Sequence, residues 1–213
     1  MRTQHSPKAT LVSAAIAICA LTIMSGRPVK AFPLAISHAA FTTPTDDAKT
    51  PPGWIQFCGE HPEDCKSDGK DVDVTLTDSN FAELDRVNRS VNSKIKPITD
   101  WKHWHVRDKW SYPDDGRGDC EDYALLKRKT LMQAGWPSGA LLITVVRARN
   151  GEGHAVLTVH TDKGDYVLDN QSSHVLPWKK TPYHYVKRQI PSDPNTWVYI
   201  DGIRETPVVA ATN

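Results

Sequence analysis

The sequence has almost no excess charge: 26 Lys and Arg stand against 25 Asp and Glu, a formal net charge of +1. That leaves no electrostatic footprint for nucleic acid, whose binders carry clustered positive charge. The sequence has no internal repeat, and beyond Met24 no apolar stretch long enough to cross a membrane. It has only four cysteines in 213 residues. What remains is a length that suits one domain with a sizeable core.

The first 31 residues read as a signal peptide. Arg2 and Lys8 form a basic start, and an apolar stretch follows from about Ala9 to Met24. Val29-Lys30-Ala31 then places small residues at −3 and −1 of a cleavage site. The alternative is an uncut membrane anchor, for which the apolar core is short. A lipoprotein is disfavoured by the bulky Ile18 before Cys19. The mature protein is therefore expected to be soluble and exported, periplasmic or secreted. Cleavage removes Cys19 and leaves Cys58, Cys65 and Cys120. In an oxidising compartment Cys58 and Cys65 are natural partners across a short loop. Cys120 is then the odd one, an intermolecular link or a reactive thiol. Spacing alone does not exclude a bond to Cys120.

Residues 32 to 52, rich in Pro, Thr and Ala, read as a flexible lead-in, and the folded domain is expected over 53–205. A short strand-like stretch runs from Val72 to Leu76. Phe81, Leu84, Val87, Val91 and Ile95 recur at helical spacing, which predicts a helix from about Ser79 to Lys94, stopped by Pro97. Residues 100 to 117 read as an aromatic-lined loop. His103 and His105 lie within it but lack a Cys or carboxylate at helical ligand spacing, so a metal site there is disfavoured. A second helix is expected from about Cys120 to Ala134, ending at Gly135 with Pro137 beyond. The remainder reads as antiparallel sheet: Leu141 to Ala148, His154 to Thr161, Asp165 to Asn170, Tyr183 to Gln189 and Thr196 to Ile200.

The stretch that carries chemistry is Gly118-Asp119-Cys120-Glu121-Asp122. With Asp119 as N-cap, Cys120 sits at a helix N-terminus, where unpaired N–H groups and the dipole favour a thiolate. Three neighbouring carboxylates oppose that, because like charge raises a thiol pKa. A histidinium, a cation or outward-pointing carboxylates must offset them. A two-residue hairpin connection that pairs Thr161 with Gly164 sets Val156 opposite Asp169 and leaves His154 on the same face, two residues away. Cys120, His154 and Asp169 then form a Cys–His–Asp arrangement: the imidazole activates the thiol and the carboxylate fixes its tautomer. Taken singly, each residue has an ordinary reading: a buried cysteine, a turn-end histidine and a polar turn. Their conjunction favours catalysis.

The segments GDCEDYALLKRKTL, GEGHAVLTV and YVLDN resemble the bacterial transglutaminase-like cysteine peptidases, the family that includes the LapG periplasmic adhesin proteases. Trp110 and Pro113 ahead of the cysteine fit as well. The resemblance implies an α+β fold with a papain-like or transglutaminase-like core, the nucleophile helix packed on an antiparallel β-sheet. It implies catalytic roles for Cys120, His154 and Asp169, and calcium (Ca2+) tied to Asp119 and Glu121. Independently of the resemblance, Asp114 or Asp115 could supply further oxygen ligands to such an ion. Asp122 is then only a capping carboxylate. The chemistry itself requires no cofactor. The chain departs from the LapG pattern in its short segment between Pro113 and Gly118, and looks closer to a branch that shares Thr181 to Tyr183 and Lys187 to Gln189. That departure bears on the adhesin substrate, the calcium and any regulatory inner-membrane partner that the family implies.

The expected function is an exported cysteine peptidase that hydrolyses an amide bond in a cell-envelope or surface protein. Two alternatives stay open. One is acyl transfer to an amine, a transglutaminase-type reaction through the same acyl-enzyme. The other is a non-catalytic module that binds a peptide or envelope component, against which the intact triad argues.

Overall fold

The computed structural model describes residues 40–69, 72 and 74–200. The signal peptide expected over residues 1–31, and the end of the domain beyond residue 200, lie outside the described residues.

The sheet is built around β4 (Leu141–Arg147), a run of apolar and β-branched residues that is buried along nearly its whole length. It pairs antiparallel with β5 (Gly153–Thr161) on one side and β8 (His184–Ile190) on the other. β6 (Gly164–Leu168) and β7 (Leu176–Pro177) extend the first side, and β9 (Asp193–Ile200) and β1 (Pro44–Ala48) the second. The result is one seven-stranded sheet in the order β1-β9-β8-β4-β5-β6-β7. Continuous hydrophobic runs in β4 to β6 reflect burial on both faces rather than a one-sided sheet.

Two helices cover one face of the sheet. α4 (Cys120–Gln133) packs chiefly on β5 and on α2 (Asp78–Lys94). α2 is capped by Thr77, whose hydroxyl accepts the Asn80 N–H at 3.1 Å, and turns Leu84, Val87 and Val91 inward. A second, smaller ladder joins β2 (Lys96–Pro97) in parallel to β3 (Arg117–Gly118). It brings the chain after α2 beside the start of α4. Below it Trp54, Trp110 and Trp197 meet edge to face, with ring centroids 6.2 to 6.5 Å apart. Trp54 belongs to α1 (Pro52–Glu60), which has Pro at its first position, where no intrahelical N–H is needed.

The α+β class expected from the sequence is the fold observed, mixed helices on an antiparallel sheet. Three local expectations are corrected. The lead-in over 32–52 is in part ordered: β1 pairs with β9, and Thr42 gives both its N–H and its hydroxyl to Asp165, at 2.7 and 2.6 Å. An exposed edge strand held by main-chain bonds needs no apolar face, so Pro-Thr-Asp-Asp-Ala carries no strand pattern. Among the described residues of the stretch from Val72 to Leu76, none lies in a strand. The Val74 carbonyl accepts from Asp162 and the Leu76 N–H donates to the Asp162 carboxylate, which ties the segment to the β5–β6 turn as a loop. Finally, the loop read after residue 100 opens with a short helix, α3 (Asp100–Trp104), capped by Thr99.

Candidate active site

Cys120 is the first residue of α4 and Asp119 is its N-cap. The Asp122 carboxylate turns back to accept the Asp119 N–H at 3.3 Å and the Ser111 N–H at 2.8 Å, so Asp122 is a capping carboxylate that also pins the preceding loop. Gly118 makes room for it: a Cβ there would sit 2.5 Å from Asp122 Oδ2. Helix formation thus brings the thiol to a point set by β3, Ser111 and the cap together.

β5 brings the second residue. Its register against β6 pairs Thr161 with Gly164 and Leu157 with Leu168, as expected, so one further step sets Val156 opposite Asp169. His154 Nε2 lies 2.9 Å from Asp169 Oδ1, and both groups are nearly inaccessible, at 3 % and 5 % exposure. That leaves Nδ1 as the nitrogen not held by the carboxylate. Next to His154 on the same strand, Ala155 packs against Cys120, and its backbone tempers the rise of the thiol pKa. α4 thus sets Cys120 against the residue that follows His154 on β5. Asp169 also accepts from Tyr183 and from the Gln171 N–H, at 2.6 and 3.0 Å.

The electrostatics at the thiol run against ionisation. Cys120 is buried, and burial, then the charges of Glu121 and Asp119, push its pKa up. The thiol donates to Glu121 Oε2 at 3.0 Å. The carboxylates are themselves strained by burial. Asp119 is pushed up to about 7 and Asp122 to about 8, each first by desolvation and then by a neighbouring carboxylate. Glu121 and Asp100 are raised as well, again first by burial.

Asp100, Asp119 and Glu121 each offer a carboxylate oxygen within 4.8 Å of the others, and all three are buried. Asp119 Oδ1 and Glu121 Oε1 find no donor among the described residues. Two buried carboxylate oxygens without donors, with a third carboxylate beside them, fit a hard divalent cation. The third carboxylate beside Asp119 and Glu121 is that of Asp100; neither Asp114 nor Asp115 belongs to this group among the described residues. Asp115 is instead bound to His103 at 2.8 Å and to Arg117 at 3.1 Å. This also takes up His103, while His105 ends α3 in a left-handed conformation. Asp100 carried no motif in the sequence, being nineteen positions from Asp119. Its one signal, Thr99 ahead of an acidic residue, speaks only for a helix start.

Cys58 and Cys65 are joined, with Cα atoms 5.6 Å apart, and Cys120 is a free thiol.

The sequence model of the bacterial transglutaminase-like cysteine proteinases (BTLCP) matches residues 45–205. Among solved structures, a chain of Legionella pneumophila LapG is 30% identical with a TM-score of 0.44, over 50% of this chain and 62% of that one. Calcium-bound Legionella pneumophila LapG is 25% identical with a TM-score of 0.48, over 61% of this chain and 74% of that one. The EGTA-treated form is 26% identical with a TM-score of 0.47, over 59% and 69%. The chain thus spans less than two thirds of the first of these. No curated protein matches the chain.

Proposed function

The chain belongs to the bacterial transglutaminase-like cysteine proteinases, and from that premise we propose that Cys120, His154 and Asp169 are its catalytic triad, acting after export on an amide bond in a protein of the cell envelope. The observation that carries this reading is the pairing of His154 Nε2 with Asp169 at 2.9 Å, on the strand whose next residue, Ala155, packs against Cys120.

The chemistry follows from that pairing. His154 accepts the Cys120 proton through Nδ1, and the sulfur attacks the scissile carbonyl carbon. The tetrahedral oxyanion forms near the start of α4, where the Cys120 N–H has no intrahelical acceptor. Collapse breaks the C–N bond as His154 returns the proton to the departing amine, leaving a thioester on Cys120. His154 then takes a proton from water, the hydroxide adds to the thioester, and the acid product leaves as the sulfur regains its proton. Asp169 keeps the ring oriented and stabilises the imidazolium in both halves.

Asp100, Asp119 and Glu121 are the residues that would hold calcium. When bound, the cation supplies positive charge that offsets the carboxylates now opposing thiolate formation. An inner-membrane regulatory partner belongs to the same reading through family membership.

Iodoacetamide labelling of the purified chain tests the proposal. Cys120 is expected to be alkylated far faster than an ordinary buried thiol, and His154→Ala to remove that advantage, by about 100-fold or more. Equal labelling of both proteins would overturn the triad.

A further inference from the structure

Asp169 has two carboxylate oxygens, and the structure divides them. Oδ1 receives His154 Nε2 and the Gln171 N–H, at 2.9 and 3.0 Å. Oδ2 receives the Tyr183 hydroxyl at 2.6 Å, a short bond typical of O–H on a charged acceptor. Tyr183 comes from neither β5 nor β6. It lies on the segment just before β8, and that segment is itself fixed: the Thr181 hydroxyl donates to the Trp178 carbonyl at 2.7 Å and lies 2.9 Å from the Tyr185 hydroxyl. The Tyr183 ring lies beside that of His154, with centroids 5.3 Å apart. Burial and the Asp169 charge push the phenol pKa up, so the hydroxyl remains a donor through the neutral range.

We propose that Tyr183 is a positioning residue of the catalytic apparatus: by occupying Oδ2 it fixes the rotation of the Asp169 carboxylate, so that Oδ1 stays on His154 Nε2 and Nδ1 stays turned toward the thiol. This rests on the triad reading above. The physical need is specific. A terminal carboxylate torsion is broad and nearly two-fold, so packing alone holds it poorly. Two donors on one oxygen and one on the other, from three separate segments, remove that freedom. An imidazole with a wandering partner spends less time aimed at the sulfur, and orientation losses of this kind reduce rate more than binding.

The test uses Tyr183→Phe in the full chain, which keeps the ring beside His154 and deletes only the donor. Two quantities are read: the rate of Cys120 alkylation by iodoacetamide, and the downfield proton signal of His154 Nε2–H bonded to Asp169. The expected result is an alkylation rate about tenfold lower, with the signal shifted upfield or broadened. His154→Ala is measured alongside. If His154→Ala alkylates like wild type, the triad reading fails and Tyr183 with it. If His154→Ala is inert but Tyr183→Phe matches wild type in rate and signal, the role of Tyr183 alone is overturned. Should Tyr183→Phe melt many degrees below wild type, 3-fluorotyrosine at position 183 is read instead. Its stronger donor is expected to draw charge from Asp169 and move the His154 signal, and an unmoved signal would overturn the role.

Discussion

At Asp169 burial and hydrogen bonding pull in opposite directions. Burial alone would raise its carboxyl, but His154, Tyr183 and the Gln171 N–H outweigh it and hold the group below the ordinary carboxylate range. Asp165 repeats the pattern outside the site: burial raises it, and His160 at 2.7 Å, the Thr42 hydroxyl and the Thr42 N–H bring it below. A carboxyl depressed in the folded chain stabilises it above the unfolded pKa of about 3.9, and that stabilisation is lost as pH falls through the folded value. Asp165→Asn should therefore cost about 3 kcal/mol at pH 7 and distinctly less at pH 3. Calorimetric melting at the two pH values checks this, and a difference that did not shrink in acid would count against it. At this scale the sequence was informative where chemistry clusters along the chain. Cys120, His154 and Asp169 were singled out from an unpaired cysteine and one hairpin register, and the free thiol and the His154–Asp169 contact are both present. Asp100 and Tyr183 were not, because each reaches its partner only through the tertiary fold, from positions 19 and 14 residues away.

Among the elements, α4 shows how a local rule and a tertiary demand can conflict. Its first turn is acidic, as helix dipoles favour, yet Glu121 and Asp122 are fully buried, where charge is costly. The cap resolves part of this by giving Asp122 two backbone donors, and Gly118 permits that approach. Gly118→Ala should push Asp122 off its donors and lower stability by about 1–3 kcal/mol, with Cys120 alkylation slowed as the start of α4 shifts. Chemical denaturation measures the first and labelling the second. An unchanged midpoint would mean that the cap has slack. Long periodic elements were legible: α2, α4 and the strands of the central sheet lie where spacing put them, within a few residues. β1, β2, β3, β7, α1 and α3 were not seen, β2, β3 and β7 being two residues each. β1 is polar and held by main-chain bonds, α3 spans only five residues, and α1 hides its buried face in Trp54 and Phe57 between prolines and a disulfide.

For the whole molecule, the buried carboxylates make stability depend on pH, and the proposed cation would change that dependence. Asp119 and Asp122 bind protons in the folded chain up to about 7 and 8, well above their unfolded values. Raised groups stabilise fully below the unfolded pKa, and that contribution is lost as pH rises through the folded one. In chelator the melting temperature should therefore fall between about pH 4 and pH 8. Saturating calcium should raise it most at the upper end of that range, and Asp100→Asn with Asp119→Asn should abolish the increase. A calcium-independent melting curve would remove the cation site. On the proposed reading, the sheet around β4, the helix across it and the loop before that helix serve one outcome, a cysteine able to open an amide bond. The most direct measurement is proteolysis of an envelope-protein extract in 18O-water by the purified chain, with new termini read by mass spectrometry. New C-termini carrying 18O are expected with the wild-type chain plus calcium and not with Cys120→Ala; their absence, or equal cleavage by both proteins, would contradict the assignment.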